Sequence, residues 1–194
     1  ALRQELSELS RKVESIRVHT WIDKEAGILA AQDVALMTAP RYADPRCLTP
    51  HQVQKFSQNG EDGIIAEIFR RIGPGDRFFV EIGAGDGIEN NTRLLLQTGW
   101  RGVWIEADSH RARQIRDGYR DELADGRLTL IESSVTAENI GGLLSDAGVA
   151  ERFDFLSLDI DMNTGHVWRA MLEAGFVPRV ACVEYNASVP PSVD

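Results

Sequence analysis

The sequence predicts an α/β protein in which helices cover both faces of a mainly parallel β-sheet. From about Phe56 onward, short runs of β-branched and aromatic residues alternate with amphipathic segments long enough to form helices. The short runs, such as residues 78–80 and 155–158, are almost continuously apolar, which is typical of strands buried on both faces. Strands and helices in this order require right-handed crossovers, so we expect a doubly wound, Rossmann-like sheet.

Strands and helices alternate throughout this part of the chain. The predicted strands cover residues 77–82, 102–106, 128–132, 153–160 and 180–185, and the predicted helices cover residues 61–72, 88–98, 111–123, 137–147 and 165–174. Ligands of doubly wound sheets bind beyond the carboxyl ends of the strands. Polar residues follow every predicted strand, so we expect the candidate site there.

An N-terminal helix within residues 1–30 is predicted to precede the sheet. Its apolar residues recur at steps of four and three, a heptad pattern formed by Leu2, Leu6, Leu9, Val13 and Ile16. The pattern favours a short coiled coil that makes the protein a homo-oligomer; a helix packed on its own domain is the alternative. Residues 31–55 contain three prolines and are predicted to form a linker, and residues 56–194 are predicted to form the catalytic domain.

The formal net charge is −9, and all of it lies in the second part of the chain. Residues 1–50 contain seven Lys and Arg against seven Asp and Glu, whereas residues 51–194 contain fourteen against twenty-three. A surface of this sign repels phosphate groups, so nucleic acids and anionic membrane surfaces are poor partners. Small molecules and metal cations are better ones.

The sequence contains no segment that resembles a membrane span or a signal peptide. No uncharged apolar run approaches the roughly 18 to 20 residues that a membrane span needs, so a cytoplasmic protein is expected. Cys47 and Cys182 lie far apart and outside any CxxC motif, which predicts reduced, structural cysteines.

A glycine-rich segment, residues 81–87, follows the first predicted strand and precedes a predicted helix. Glycines at alternate positions let the backbone turn sharply and approach a ligand closely. Ile88 stands where a dinucleotide-binding loop has its last glycine, and the acidic Glu81 suits a cationic or neutral ligand better than a pyrophosphate. S-adenosylmethionine is therefore the predicted cofactor; a structural turn without a cofactor is the alternative. The predicted cofactor-binding residues of this segment are Glu81, Gly83, Gly85 and Gly87.

The second and third predicted strands also end in polar residues. Glu106 ends the second strand, and a carboxylate there can accept both hydrogen bonds of a ribose diol, so Glu106 is the predicted ribose ligand. Ser133 and Ser134 follow the third strand, where they would lie beside an adenine edge or cap the next helix instead.

Oxygen-bearing side chains follow the fourth and fifth predicted strands: Asp159, Asp161, Glu184 and Asn186. Alternation places each pair on one side of its strand, provided that the strand persists. Carboxylate, amide and water oxygens suit Mg²⁺ or Ca²⁺, so these four residues are the predicted metal ligands. In the alternative, one of the carboxylates lines the cofactor pocket and the others are solvated. Asp159 is also predicted to contact the cofactor.

His166 follows Asp161 closely, at the start of a predicted helix. Deprotonating a hydroxyl group needs a base with a pKa near neutral, so His166 is the predicted catalytic base, with Asp161 as the second catalytic residue. A histidine that is simply exposed is the alternative.

Residues 81–87 resemble motif I of the class I S-adenosylmethionine-dependent methyltransferases, in which an acidic residue precedes GxGxG. The acids after the fourth and fifth strands are similar to those of metal-dependent O-methyltransferases of the catechol type, although residues 184–186 are not the Asp-Asn pair of that group. The chain looks most like the FkbM-type methyltransferases over residues 56–194. The matching segments are residues 56–63, 79–87, 158–161 and 183–187.

This resemblance implies an O-methyltransferase that uses S-adenosylmethionine and acts on a hydroxyl group of a sugar, glycan or natural product, with or without a divalent metal. Residues 162–164 depart from the family pattern, which leaves the acceptor site open. The class normally adds two strands after the fifth, so part of the acceptor side is expected to be missing. The alternative function is an inactive methyltransferase-like domain that serves as a binding or scaffold module in an oligomeric assembly.

Overall fold

The computed structural model describes residues 39–160 and 163–185, and before them four helical positions: Lys12, Gly27, Val34 and Ala35. The chain forms two compact units, residues 1–50 and 51–194. The apolar residues of the predicted heptad lie outside the described residues. Two 3₁₀ turns, Pro40–Tyr42 and Thr49–His51, are described before the sheet begins.

The second unit is built on five parallel strands with helices between them. In chain order its elements are α1 (Glu61–Ile72), β1 (Phe78–Ile82), α2 (Arg93–Gln97), β2 (Arg101–Glu106), α3 (Ser109–Gly118), α4 (Arg120–Ala124), β3 (Leu128–Glu132), α5 (Ile140–Asp146), β4 (Arg152–Leu158), α6 (Thr164–Glu173) and β5 (Val177–Val183). The strands lie in the order β3-β2-β1-β4-β5, and all neighbouring pairs are parallel. The predicted doubly wound, Rossmann-like fold is therefore confirmed. The strand order reverses between β1 and β4, which is where ligands of such sheets bind.

Alternate strand residues build two apolar layers, one on each face of the sheet. On one face, Phe79, Trp104 and Phe155 pack with side chains of α1, α2 and α3. On the other face, Ile82 and Leu158 pack with side chains of α5 and α6. Because both faces are covered, the strands need apolar residues at successive positions, which explains their continuous apolar sequences.

Predicted and observed strands differ at their carboxyl ends. β4 ends at Leu158 and β5 at Val183, each two residues earlier than predicted. Asp159 and Glu184 therefore lie just outside the strands, and strand alternation does not determine on which side their side chains lie. One further backbone hydrogen bond holds each position: Asp159 N donates to Ile82 O and Glu184 N donates to Leu158 O, both at 3.0 Å. These two carboxylates therefore begin loops at the edge of the sheet.

The helix after the glycine-rich segment is shorter than predicted. It begins at Arg93 rather than at residue 88. The backbone N–H groups of Asn91 and Thr92 instead donate to the carboxylate of Glu81, at 3.0 and 3.2 Å. A buried acceptor on β1 thus competes successfully with the helix for these donors.

An ion pair between a buried aspartate and an exposed arginine lies at the amino end of the sheet. Asp154 is 2% exposed and accepts hydrogen bonds from Phe78 N at 3.1 Å and from Arg179 Nη1 at 2.8 Å. Arg179 also donates to the carbonyl oxygens of Ile72 and Gly73. The polar contacts at this end thus join β5 to the end of α1.

Of the helices described, none combines the length and apolar character needed to cross a membrane.

Candidate functional site

Two adjoining cavities open at the carboxyl end of the sheet. The first, here called the glycine-loop cavity, has a volume of about 730 Å³ and lies over residues 83–89 and the ends of β1 and β2. The second, here called the acidic cavity, has a volume of about 420 Å³ and lies toward the ends of β4 and β5. Their linings share four residues: Gln58, Gly83, Glu89 and Asp159. A ligand in one cavity therefore lies next to a ligand in the other.

The glycines at positions 83 and 85 shape the floor of the glycine-loop cavity. The N–H groups of Gly83 and Ala84 donate to Ile105 O at 2.9 and 3.2 Å, and a Cβ atom at Gly83 would collide with the carbonyl oxygen of Asp159. Gly85 has a φ of +63°, and a Cβ atom there would have no heavy atom within 4 Å. Gly83 thus permits close backbone packing, and Gly85 leaves space for a ligand.

Gly87 has a structural role instead. A Cβ atom there would lie 2.8 Å from the ring of Tyr119 and 2.9 Å from the ring of Trp104. The Tyr119 hydroxyl donates a hydrogen bond to Gly87 O. Tyr119 also separates α3 from α4, which were predicted as one helix over residues 111–123. Gly87 is absent from the lining of both cavities, and its contact with a cofactor stays a prediction.

Glu106 is held firmly at the end of β2. It is 5% exposed, and its Oε2 and Oε1 accept hydrogen bonds from Gly85 N at 2.7 Å and from Asp108 N at 2.8 Å. An ionised carboxylate offers about four lone-pair sites, so each oxygen retains capacity for one more donor. The carboxylate therefore both fixes the glycine loop and presents acceptors to the glycine-loop cavity.

Glu81 faces the acidic cavity. It is 3% exposed and accepts hydrogen bonds from the hydroxyl of Thr92 and from the backbone N–H groups of Asn91 and Thr92. Burial raises the pKa of Glu81 to about 7, against the lowering effect of these bonds and of one from Ser157. The cofactor contact of Glu81 stays a prediction; its carboxylate lines the acidic cavity, which adjoins the glycine-loop cavity.

Further hydrogen bonds extend from Glu81 across the sheet. Trp104 Nε1 donates to Thr92 Oγ1 at 2.7 Å, and Asn91 Nδ2 donates to Ser157 Oγ at 3.1 Å. Trp104 and Ser157 are the register partners of Glu81 on β2 and β4. Asn91 and Thr92 thus bind three neighbouring strands together beneath the two cavities.

Gln58 forms part of the wall between the cavities. Its Nε2 donates to Glu89 Oε1 at 2.8 Å. Asp62 of α1 holds the segment that precedes Gln58. Its Oδ2 accepts hydrogen bonds from the backbone N–H groups of residues 55–57 at 2.7 to 2.8 Å. These bonds lower the pKa of Asp62 against the opposing effect of burial. The position of Gln58 therefore depends on the first turn of α1.

Solved methyltransferase structures are among the similar proteins. One is a putative O-methyltransferase from Klebsiella pneumoniae, with 23% identity, a TM-score of 0.46, and coverage of 74% of this chain and 66% of that one. Another is the glycopeptide N-methyltransferase MtfA complexed with S-adenosyl-L-methionine, with 18% identity, a TM-score of 0.41, and coverage of 65% and 54%. This chain thus spans about half to two thirds of their length.

These similarities do not decide the function of this chain, because the TM-scores are below 0.5 and the identities below 25%. No protein-family model matches the sequence, and no curated protein matches it significantly.

The structure brings most of the predicted cofactor residues together. The predicted cofactor residues that line the glycine-loop cavity are Gly83, Gly85, Glu106, Ser133 and Asp159. Ser134 is exposed and outside this lining, and Val135 lies there instead. The Ser134 carbonyl accepts from the side chain of Asn139, which holds the loop after β3.

Only half of the predicted metal site is described. Asp159 and Glu184 line the acidic cavity, whereas Asp161 and Asn186 lie outside the described residues. Within residues 39–160 and 163–185, no three His, Cys, Asp or Glu side chains lie close enough together to hold one ion. The metal site remains a prediction from the sequence.

The predicted base is separate from both cavities. His166 lies in the first turn of α6, is exposed, and is absent from the lining of either cavity. The buried side of α6 carries Thr164, Val167 and Met171 instead. Asp161, its predicted catalytic partner, lies outside the described residues.

Proposed function

We propose that this chain is an S-adenosylmethionine-dependent methyltransferase that acts on a hydroxyl group of a sugar, glycan or natural product. One observation carries the proposal: Gly85 leaves open space beside Glu106, whose carboxylate is fixed by the loop itself and retains acceptor capacity. This combination suits a nucleoside, with its ribose hydroxyls on Glu106 and its remaining length along the glycine loop.

The charge of the glycine-loop cavity supports the choice of cofactor. Its lining contains four carboxylates and one basic side chain, Arg111. A pyrophosphate would meet repulsion there, whereas a sulfonium cation is attracted. When bound, S-adenosylmethionine supplies a methyl group that is already electrophilic.

The protein's own task is to orient the acceptor hydroxyl and to receive its proton. Asp159 is suitably placed, because it lines both cavities and its carboxylate has no hydrogen-bond or ion-pair partner among residues 39–160 and 163–185. We therefore assign the proton to Asp159 rather than to His166, which lines neither cavity.

Replacing Glu106 by Gln tests the cofactor site. The amide turns a donor toward Gly85 N or Asp108 N and offers fewer acceptors to the ribose, so we expect S-adenosylhomocysteine to bind about tenfold more weakly. Isothermal titration calorimetry measures this change.

Glu132→Gln is the matched control. Glu132 lies beside Glu106 in the register of β2 and β3 but pairs with Arg116 at 2.6 Å and is absent from the glycine-loop cavity. Its titration should match that of the unaltered protein. Heat of binding with NAD instead, or with neither compound, contradicts the proposed function.

We also propose that residues 2–16 mediate self-association, supported by the heptad spacing of their apolar residues. A chain that lacks residues 1–25 should form a smaller assembly by light scattering. A particle mass that falls only by the deleted residues would mean that the segment packs within its own chain.

A further inference from the structure

The acidic cavity has the position of an acceptor site. It adjoins the glycine-loop cavity through Gly83 and Asp159, and its volume of about 420 Å³ is suited to a small molecule. Its chemistry therefore indicates what kind of acceptor it takes.

The lining of this cavity is acidic and includes no basic side chain. Of its fifteen residues, none is Lys, Arg or His. Five carry carboxyl groups and come from different parts of the fold: Glu61, Glu81, Glu89, Asp159 and Glu184. A cavity with this lining disfavours an anionic ligand and favours a cation.

The charges of the lining are not neutralised by nearby basic residues. Glu61, Glu81, Glu89 and Asp159 form no ion pair with any Lys, Arg or His that the structure describes. Glu61 and Glu89 accept hydrogen bonds from neutral donors only, from Asn59 N at 2.7 Å and from Gln58 Nε2 at 2.8 Å.

Two buried carboxylates elsewhere in the same unit have basic partners. Glu67 pairs with Arg70 and Arg71, and Asp154 pairs with Arg179. Glu61, Glu89 and Asp159 have no such partner among the described residues, so a cation in the acidic cavity could balance their charge.

Cys182 forms part of the wall of the cavity. Burial, and then the nearby charges of Glu61, Glu81 and Asp159, raise the pKa of the Cys182 thiol to about 11. Carboxyl groups from three separate elements thus lie near one point of the wall.

The arrangement suits an organic cation. Among the described residues, no three of these carboxylates lie close enough together to hold one metal ion. Tyr185, which is 76% exposed, adds an aromatic ring to the lining. Separated carboxylates with an aromatic ring can bind an ammonium group together with hydroxyl donors.

We propose that the acceptor is an amine-bearing hydroxy compound of the amino-sugar class, whose ammonium group is held in the acidic cavity while its hydroxyl lies toward Asp159. This inference rests on the proposed function. The surrounding carboxylates favour the protonated amine, which has no lone pair to accept a methyl group. The hydroxyl is therefore the methylated group.

The test measures binding of matched amino sugars to the full chain in the presence of S-adenosylhomocysteine. The probes are glucosamine, galactosamine and mannosamine, each compared with its N-acetyl form by calorimetry or ligand-observed NMR. We expect at least one amine to bind about tenfold or more tightly than its neutral N-acetyl form. Equal binding within every pair, or binding of no amine, overturns the inference.

The variants Glu61→Gln and Glu89→Gln test whether these two carboxylates bind the ammonium group of the acceptor. Each should weaken the binding of the preferred amine several-fold and leave its N-acetyl form unaffected. Two variants are used because Glu61 also holds Asn59 N at the start of α1. Glu173→Gln, at the exposed end of α6, is the control and should bind like the unaltered protein.

The cofactor titration separates the two proposals. If S-adenosylhomocysteine binds and no amine is preferred, the acceptor inference alone is wrong. If S-adenosylhomocysteine does not bind, the proposed function is wrong. If the variants weaken S-adenosylmethionine and leave amine binding unchanged, the carboxylates serve the cofactor's own charge, and the acceptor inference is again overturned.

Discussion

Gly85→Val is expected to weaken S-adenosylhomocysteine binding by about 100-fold or more while the protein remains folded. The branched side chain would occupy the open space of the glycine-loop cavity, where no protein atom lies within 4 Å of the new Cβ atom. Because nothing in the fold collides with it, the cost to stability is that of a positive φ at a residue other than glycine, on the order of 1 to 3 kcal/mol.

Gly99→Val is the matched control for this substitution. Gly99 also has a positive φ, +87°, and open space around its would-be Cβ atom, but it lies outside both cavities. The two variants should lose comparable stability in thermal melts, and only Gly85→Val should lose binding. If both variants lose binding, the cause is general destabilisation. If both variants retain binding, the cofactor does not bind at this loop.

Glu81 is expected to make the stability of the protein fall as the pH rises from about 4.5 to about 7. Burial raises the pKa of Glu81 from 4.5 to about 7, so the folded state binds a proton in this range that the unfolded state has already released. The stabilisation from the protonated Glu81 is complete below about pH 4.5 and is lost as the pH rises through about 7. The difference corresponds to about 3 kcal/mol in the free energy of unfolding.

Urea denaturation at several pH values measures this effect. In Glu81→Gln the pH-dependent component should disappear, and the variant should be less stable at about pH 5 because an amide donor would face Thr92 or Asn91. Glu67→Gln is the control, since Arg70 and Arg71 lower the pKa of Glu67 to about 2, outside the range tested. An identical slope in the unaltered protein and Glu81→Gln would refute the prediction.

The fold was predictable because its determinants are local in the sequence. Continuous apolar runs marked the buried strands, and α1 has the predicted bounds because Gly60 and Gly73 flank it. The positions of the glycine loop and Glu106 were predictable for the same reason: their residue types and their places at strand ends already locate them at the carboxyl edge of the sheet, beside the glycine-loop cavity.

The rest of the site depends on contacts between distant segments. The direction of Glu81 follows from donors at positions 91 and 92, and Gln58 reaches the site through bonds made by Asp62. No short pattern encodes such contacts. The exposure of His166, in contrast, had a readable signal, since Val167 and Met171 define the apolar side of α6 and His166 lies off it.

The bonds of Asp62 also make the wall between the two cavities part of a cooperative folding unit. Residues 55–57 have no strand or helix of their own, and their N–H groups are held by a side chain that is in place only when α1 has formed. Fraying of the first turn of α1 would release Gln58 and merge the two cavities. Shortening or exchanging this segment would therefore remove the partners of Asp62 and alter the first turn of α1 as well.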